Sequence, residues 1–279
     1  MNPIEDTLYQ DTETEPGIAI PLIYKRLFVH NFGRHGEQRV DQKGRVYYQN
    51  RRLYSLNKVQ IDKILEGKRT FAGYGCNRKG KSKWVMFDLD IPRVMRREIE
   101  AAADLKFRNQ LEDNAWQSIF LMAENIIREI KWLGFTPIPI FSGSKGVHIY
   151  VLFDKLIPLE KAVHFGLLIK WLTHNAEEGK ELAGLFKYLE IESYPCLADI
   201  GNYANGGLPH LVKHPLALHR GSRMFSRFLD PDNLRLGNWL PNSHVLELKP
   251  DSAQSVLDIL HDFEEEVKEA LKQSRTIDF

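Results

Sequence analysis

The sequence predicts a mixed α/β protein, of the α+β class, whose centre is a β-α-β-β-α-β unit. Three observations support this prediction. Residues 84–90 form a compact apolar run, apolar residues recur at helical spacing up to Gly134, and residues 137–153 hold two short apolar segments joined by a Ser/Gly-rich turn. The order of strand, helix, strand, strand and helix is that of a ferredoxin-like, or RRM-like, sheet.

The first strand and the first helix follow from composition and spacing. The run WVMFDLD (84–90) has the bulky and β-branched side chains typical of a strand. Residues 93 to about 133 are predicted to be helical, and Gly134 ends the helix. The apolar residues that define the helical spacing are Ile119, Phe120, Ala123, Ile126, Ile127, Ile130 and Leu133.

The second half of the unit is a hairpin followed by a helix. PIPIF (137–141) and VHIYVLF (147–153) are predicted strands joined by the tight turn SGSKG. Pro158 begins a helix that continues to about Asn175. The candidate for the last strand is the segment from Leu211 to Leu218.

The flanking segments are less regular. Residues 1–20 are acidic and contain Pro and Gly, which predicts a mobile tail. Residues 27–75 mix aromatic and basic side chains, which could stack on a nucleic-acid strand or form core, and contain one short helix, about Asn57 to Glu66, stopped by Gly67. Residues 251–279 predict an amphipathic helix that packs on the protein's own core.

Composition excludes several classes of protein. The 279 residues are 43% hydrophobic and 27% charged, as in an ordinary globular protein, and no apolar run approaches the ~20 residues that span a bilayer. The acidic amino terminus does not resemble a signal or transit peptide, so we expect a cytoplasmic protein. Two cysteines, Cys76 and Cys196, are too few for a disulfide framework or a four-cysteine zinc site.

Charge is unevenly distributed along the chain, although the net charge is +1. Residues 25–83 hold sixteen Lys or Arg against four Asp or Glu, whereas residues 251–279 hold eight acids against three bases. A basic half indicates either a polyanionic partner, such as nucleic acid or nucleotide phosphate, or a solvated basic face.

Residues 75–82, GCNRKGKS, match the phosphate-loop pattern G-x-x-x-x-G-K-[ST]. A phosphate loop must open a helix, whose amino terminus cradles the phosphates. The residues after Ser82 have strand character instead, so we interpret the match as a basic hairpin turn. Lys79, Lys81 and Lys83 are then expected to form a basic approach to the site.

Asp88 and Asp90 end the first predicted strand. Alternate residues of a strand face the same side about 6.6 Å apart, so the two carboxylates project together. Such a pair can hold one or two Mg²⁺ or Mn²⁺ ions, which complete their coordination with water and substrate phosphates. The alternative is a strand that ends in solvated acids.

Two further segments carry polar side chains. The turn from Ser142 to His148 offers hydroxyl, ammonium and backbone donors for phosphate oxygens, and a plain hairpin needs neither its Lys nor its His. Residues 197–230 contain Asp199 and a basic cluster. Phosphate contact or core packing is favoured over a metal site for its histidines, because no cysteine pair or H-E-x-x-H motif accompanies them. These histidines are His210, His214 and His219.

Together these segments resemble the archaeo-eukaryotic primase superfamily, the primase-polymerases. The apolar strand Val85–Asp90 is similar to that family's D-x-D motif, and FSGSKGVH is similar to its serine-glycine turn leading to a histidine. Asp199, in DIGNY, is similar to a third motif, an isolated acid. The last motif, R-x-P-x-S-x-H in many relatives, differs at Lys213 and Ala217. The resemblance covers about residues 65–230.

The resemblance implies an RRM-like catalytic sheet interleaved with a second small α/β module over residues 21–250, and template-directed nucleotidyl transfer with primer synthesis or extension on single-stranded DNA. It implies two Mg²⁺ or Mn²⁺ ions held by Asp88, Asp90 and Asp199, with no zinc. The nucleotide-binding residues it implies are Ser142, Gly143, Ser144, Lys145, His148, Lys213, His219 and Arg220. The residues expected to bind the template are Lys79, Lys81, Lys83, Arg51 and Arg52.

Substrates would be NTPs or dNTPs, and a helicase or another replication protein would be a partner. Two other functions stay open at this stage: a catalytically silent nucleic-acid-binding module of the same fold, and a metal-dependent nuclease, since carboxylates on a strand also serve phosphodiester cleavage.

Overall fold

The computed structural model describes residues 16–30, 33–51, 56–176 and 190–276. These residues form eight α-helices, nine strands and one 3₁₀-helix. The helices are α1 (Pro16–Phe28), α2 (Lys58–Leu65), α3 (Arg93–Ala101), α4 (Leu105–Trp132), α5 (Leu159–Asn175), α6 (Leu197–Ala204), α7 (Ala253–Asp262), α8 (Glu264–Thr276) and the 3₁₀-helix Asn242–Leu246. The strands are β1 (His35–Val40), β2 (Val46–Arg51), β3 (Phe71–Tyr74), β4 (Lys81–Asp90), β5 (Ile138–Phe141), β6 (Gly146–Pro158), β7 (Glu190–Tyr194), β8 (Leu211–Lys213) and β9 (Arg227–Phe228).

The larger sheet has the strand order β7-β4-β6-β5-β9, and all of its neighbouring strands are antiparallel. Its first four strands, with α4 and α5 between them in the chain, form the predicted β-α-β-β-α-β unit. One face is apolar, since Phe87, Leu89 and Ile149 pack in a core with residues of α4 and α5 such as Ile126 and Phe165. This face fixes the register, because a slip by one residue would bury the carboxylates instead.

The smaller sheet, in the order β2-β1-β3-β8, is the second α/β module. A separate core joins α1 and α2 to both sheets: it holds Tyr24 and Phe28 of α1, Ile61 of α2, Phe71 of β3 and Tyr150 of β6. The second face of the larger sheet therefore turns towards the smaller sheet. This arrangement confirms the predicted fold class.

Two segments that were each predicted to form one helix form two. Residues 93–133 form two helices rather than one, because Ala102 leaves the helical conformation and Asp104 caps α4 by accepting the Phe107 N–H at 2.7 Å. Residues 251–279 likewise hold two helices. Phe263 lies between them with φ −107 and ψ 34, and its ring packs edge-on against Trp132 at 5.8 Å.

Two further predictions misplaced segments. The tail expected over residues 1–20 is too long, because α1 begins at Pro16. Proline is suited to the first turn of a helix. Residues 1–15 lie outside the described part of the chain. The expected last strand, Leu211 to Leu218, belongs to the other sheet, where its strand β8 pairs with β3. β7 supplies the last strand of the larger sheet and pairs with β4.

The short helix predicted near residues 57–66 is α2, whose amino end is closed by a reciprocal capping box between Asn57 and Gln60. Among the described helices, none combines the length and apolar character needed to cross a membrane.

Candidate active site

The two sheets enclose a pocket of about 280 Å³. Strand alternation explains its lining: Phe87 and Leu89 face the helices, so Asp88 and Asp90 face the smaller sheet. The smaller sheet contributes Gln38, Val46, Tyr48, Leu211, Val212 and Lys213, and the turn after β5 contributes Ser142, Ser144 and Lys145. Motifs that lie more than fifty residues apart in the chain therefore converge on one cavity.

Asp88 lies opposite His148 in the β4–β6 pairing, and the His148 Nε2 atom is 3.3 Å from the Asp88 Oδ1 atom. Burial raises the pKa of Asp88, but His148 and the ammonium groups of Lys145 and Lys213 outweigh it and hold the pKa below its ordinary value. The Oδ1 atom is buried and has no hydrogen-bond partner of good geometry. Asp88 is thus a carboxylate in a cationic setting with a free acceptor.

Asp90 forms an ion pair with Lys145, whose Nζ atom is 2.5 Å from the Asp90 Oδ2 atom. Burial and the charge of Asp88 raise the pKa of Asp90 to about 6, against the opposing effect of Lys145. Gly146 lies opposite Asp90 in the strand pairing, and a Cβ atom there would lie 2.3 Å from the Asp90 Oδ1 atom. The glycine therefore leaves the space that the carboxylate occupies.

The turn from Ser142 to Gly146 is held by its own hydrogen bonds. The Ser142 hydroxyl oxygen accepts the N–H of Gly146 at 3.1 Å and that of Ser144 at 3.4 Å. Gly143 has φ 83, and a Cβ atom there would lie 2.9 Å from the Met224 carbonyl oxygen. The turn is thus packed against the segment after β8, and the Ser142 hydroxyl keeps its proton for a phosphate oxygen.

Lys213 and His219 line the same pocket from the basic segment. Burial lowers the pKa of Lys213 to about 7, against the attraction of Asp88, and its Nζ atom donates to the Ser226 hydroxyl at 3.1 Å. Burial, with Lys213 and Lys145 nearby, lowers the pKa of His219 to about 4, so the ring is neutral at pH 7. Its Nδ1 atom accepts the Ser222 N–H at 3.1 Å, which leaves Nε2–H as a donor.

Asp199, the predicted third acid, does not lie with the other two. It is fully buried in the first turn of α6 and is not among the pocket residues. Its carboxylate accepts hydrogen bonds from the N–H of Cys196 at 2.9 Å and of His210 at 2.6 Å. The structure therefore places Asp199 in a loop contact and not among the residues that line the pocket with Asp88 and Asp90.

Glu192 of β7 is the acid that the sequence reasoning missed. In the β4–β7 pairing it lies directly opposite Asp88, on the flank away from His148, and it accepts the Tyr194 hydroxyl. Directly opposed residues of an antiparallel pair have Cβ atoms about 4.5–5.5 Å apart. Asp88, Asp90 and Glu192 thus share one face at one end of the sheet. The signal was the alternation of Glu190, Ile191, Glu192 and Ser193, which places one apolar side chain between two acids.

Comparison with known proteins identifies the family of the chain. Residues 29–238 match the family described as "TOTE conflict system, Archaeo-Eukaryotic Primase domain". The chain belongs to this archaeo-eukaryotic primase family. None of the curated proteins matches the chain. A solved structure that resembles it is the polymerase domain of Mycobacterium tuberculosis ligase D in complex with DNA, at 14% identity and a TM-score of 0.43, covering 91% of this chain and 89% of that one.

The basic residues expected to approach the primase site lie elsewhere. Lys81 and Lys83 are at the start of β4, about 23 Å along the strand from the carboxylates, and the Lys83 Nζ atom donates to the Arg26 carbonyl at 2.8 Å. Lys79 is in the turn before β4. Arg51 binds Glu37 at 3.0 Å. The expected basic approach was therefore wrong in its location, while nucleic-acid binding by these residues stays a prediction.

The sequence also predicts that Arg220 binds the nucleotide and that Arg52 binds the template. Arg220 donates its backbone N–H to Gln38 at 2.8 Å and is not among the residues that line the pocket of the primase domain. Arg52 lies outside the described residues.

The primase pocket fits divalent cations of the kind that its carboxylates prefer. Asp88, Asp90 and Glu192 provide oxygen ligands, which suit Mg²⁺ or Mn²⁺. The buried Asp88 Oδ1 atom without a hydrogen-bond partner is an acceptor that such an ion would satisfy. In the structure, the ammonium group of Lys145 balances part of the negative charge of these carboxylates through its ion pair with Asp90.

Proposed function

We propose that this primase domain is a template-directed nucleotidyltransferase, a DNA primase-polymerase that extends a 3′-hydroxyl and synthesises primers on single-stranded DNA. The observation that carries the proposal is the convergence of Asp88 and Asp90 with the Ser142–Lys145 turn on one pocket, with Glu192 directly opposite Asp88 in the β4–β7 pairing. Three acids alone suit many metal enzymes. A donor-rich turn and a buried lysine facing them are suited to the triphosphate of a nucleotide.

In this proposal the three carboxylates hold two divalent ions. Bound Mg²⁺ or Mn²⁺ supplies activation of the attacking hydroxyl and neutralisation of charge on the triphosphate. His148, cross-strand from Asp88, orients that carboxylate. Lys145 exchanges its ion pair with Asp90 for a phosphate oxygen when the nucleotide enters, because a cation bound at Asp90 would neutralise the charge that attracts Lys145.

The phosphate contacts come from donors with fixed orientation. The Ser142 hydroxyl oxygen and the His219 Nδ1 atom each accept a backbone N–H. The hydroxyl proton of Ser142 and the Nε2–H of His219 therefore remain to donate to phosphate oxygens. Lys213, with its pKa lowered to about 7 by burial, gains charge when a polyanion enters beside it. These residues bind and orient the nucleotide rather than form a covalent intermediate.

The decisive experiment uses a primed and an unprimed single-stranded DNA template with labelled NTPs or dNTPs and Mg²⁺ or Mn²⁺. The wild type extends a primer, whereas Asp88→Ala and Glu192→Gln each lose at least about 100-fold, the scale of removing one electrostatic group that acts in the transition state. Glu112→Gln changes an exposed acid of α4 and serves as the matched control. Wild-type protein that extends neither template contradicts the proposal.

The same reactions discriminate the rival functions. Shortening of the template, lost in Asp88→Ala, would indicate a metal-dependent nuclease. Template binding without synthesis would indicate a silent binding module. Equal activity of Glu192→Gln and the wild type would remove Glu192 from the catalytic acids while leaving the polymerase proposal intact.

The proposed partners are a single-stranded DNA template and a helicase or another replication protein. Binding to the template backbone predicts that the logarithm of the binding constant falls linearly with the logarithm of salt concentration. The family description refers to a conflict system, so the proposed synthesis could serve DNA of a mobile element as well as replication.

A further inference from the structure

Three metal-ligating side chains meet outside the catalytic pocket. Cys196 precedes α6, Asp199 lies in its first turn, and His210 stands immediately before β8. One potential ligand atom of each lies within 4.8 Å of the others. None of the three lines the pocket that holds Asp88, so the proposed polymerase reaction does not account for them.

The distances suit a tetrahedral metal. The Cys196 Sγ atom is 3.5 Å from the His210 Nδ1 atom. With Zn–S near 2.3 Å and Zn–N near 2.0–2.1 Å, a tetrahedral angle gives a sulfur-to-nitrogen separation of about 3.6 Å. The Asp199 Oδ1 atom lies 2.7 Å from the same nitrogen. That contact needs to lengthen by about half an ångström to admit the ion.

Hydrogen bonding accounts for Asp199 but not for Cys196. The Asp199 carboxylate is satisfied by N–H donors of Cys196 and His210. Cys196, however, occupies the N-cap position of α6 with its sulfur towards the Asp199 N–H, where helices favour Ser, Thr, Asp or Asn. A neutral thiol is a weak acceptor, whereas a metal-bound thiolate at a helix amino terminus is favourable.

The site is accessible to an ion and to a fourth ligand. The Asp199 side chain is 0% exposed, whereas that of His210 is 46% exposed. Water can therefore complete a set of one sulfur, one nitrogen and one oxygen ligand. Soft sulfur and imidazole nitrogen favour zinc over magnesium or calcium.

We propose that Cys196, Asp199 and His210 bind a zinc ion that fastens the end of β7 to the start of β8. β7 belongs to the larger sheet and carries Glu192, while β8 belongs to the smaller sheet and carries Lys213. The ion thus joins the two sheets beside the pocket that they enclose. This inference goes beyond the proposed polymerase activity and revises the sequence-based expectation of no zinc.

Binding also has a definite proton balance. The Cys196 thiol loses its proton to become a thiolate ligand. His210, which donates from Nδ1 to Asp199 when no metal is bound, moves its ring proton to Nε2 so that Nδ1 can coordinate. Zinc affinity is therefore expected to rise with pH.

The test measures binding rather than synthesis. Metal-free protein is titrated with Co²⁺, and the near-ultraviolet charge-transfer band of a thiolate–cobalt bond is recorded, followed by displacement with Zn²⁺ and measurement of bound zinc. The chain has two cysteines, so a thiolate band must come from Cys76 or Cys196. We expect one equivalent of Co²⁺ per chain to saturate the thiolate band, apart from any metal held by Asp88, Asp90 and Glu192, and a rise in the thermal unfolding temperature when zinc is added.

Cys196→Ser is the sharpest variant. Serine is a preferred N-cap residue, so it preserves the cap of α6 while removing the soft ligand. We expect it to abolish the thiolate band and to weaken zinc binding at least about 100-fold, beyond the 10–100-fold typical of an outer-shell change. His210→Gln should weaken zinc binding similarly. Cys76→Ala, which removes the other, buried thiol, is the matched control and keeps the band.

Three outcomes would overturn the proposal: no thiolate–cobalt band in the wild type, a band retained in Cys196→Ser, or a band lost in Cys76→Ala. A zinc-dependent rise in unfolding temperature that is as large in Cys196→Ser as in the wild type would also count against it. Each readout is independent of primer extension, so failure of this proposal and failure of the polymerase proposal are distinguishable.

Discussion

Three buried histidines predict that this protein loses much of its stability between pH 7.5 and pH 5. Burial, with a smaller effect of Lys83, lowers the pKa of His30 to about 3. Burial lowers the pKa of His35 to about 4. Burial, together with His35, His30 and Lys213, lowers the pKa of His214 well below its ordinary value. The rings of His30 and His35 are therefore neutral in the folded state at pH 5, and protonation of His214 is disfavoured as well.

The contacts explain why these rings resist protonation. The Lys83 N–H donates to the His30 Nε2 atom at 2.9 Å, so the proton of the neutral ring is on Nδ1, which donates to the Tyr74 carbonyl at 2.9 Å. A second proton on Nε2 would break the first of these bonds. Both ring nitrogens of His35 and the Nε2 atom of His214 are buried without a hydrogen-bond partner.

Proton linkage gives the sign and the size of the change in the free energy of unfolding with pH. A group whose folded pKa is depressed binds protons in the unfolded state first, so stability is lost as pH falls below the unfolded pKa of about 6.5. At pH 5 His30, His35 and the pocket residue His219, whose pKa burial lowers to about 4, each contribute a loss of about 2 kcal/mol, or about 6 kcal/mol for the three. His214 adds to the loss in the same direction. Asp90, with its pKa raised to about 6, takes up a proton in the folded state and offsets about 1 kcal/mol.

The net loss of about 5 kcal/mol is comparable with the whole stability of many domains, about 5–15 kcal/mol. Urea unfolding at pH 7.5 and pH 5.0, in a metal chelator so that bound cations do not contribute, measures it as a shift of the midpoint at unchanged slope. His35→Leu provides the internal check: it removes two unpaired nitrogens and should reduce the pH-dependent loss by about 2 kcal/mol. A wild-type loss below about 1 kcal/mol, or an equal loss in His35→Leu, would refute the reasoning.

Four further substitutions test local features. Gly146→Ala would place a Cβ atom 2.3 Å from an Asp90 carboxylate oxygen, so we expect primer extension to fall at least about 10-fold. Gly201 lies in α6, where a Cβ atom meets nothing within 4 Å. Gly201→Ala should therefore raise the free energy of unfolding by about 0.5–1 kcal/mol, measured by urea unfolding. Asn57→Ala removes the capping box of α2 and should cost about 1 kcal/mol with activity unchanged. Tyr24→Phe leaves a buried carbonyl without its 2.7 Å donor and should lower the unfolding temperature, measured by calorimetry, by several degrees.

The elements of the larger sheet could be predicted because their signals are local. Alternation in β4 separates Phe87 and Leu89 from Asp88 and Asp90 within a few residues, and glycines mark the end of α4 and the turn before His148. Each of these features depends on a period of two or 3.6 residues, or on one turn. The turn lies in the local β5–β6 hairpin, whereas the pairing of Asp88 with His148 joins β4 to β6 across about sixty residues.

The position of β7 could not be predicted in the same way. Among the strands that the structure describes, β7 lies at the edge of the larger sheet, and its sequence, Glu-Ile-Glu-Ser-Tyr, lacks the apolar run of a central strand. It also joins β4 across about a hundred residues, a pairing that no local pattern encodes. The placement of Leu211–Lys213 in the smaller sheet failed for the same reason.

The choice between Asp199 and Glu192 shows how register decides chemistry. Both acids lie in the segment after α5, and the string around Asp199 is the better match to a motif. The Asp199 carboxylate is held in α6 by the N–H groups of Cys196 and His210, whereas Glu192 lies in the strand that pairs with β4, directly opposite Asp88. If β7 shifted by one residue, Glu192 would point into the apolar core instead of lying on the face of Asp88, at the cost of burying a charge. The core packing of Ile191 therefore positions the carboxylate next to it, and the third acid is specified by an apolar residue.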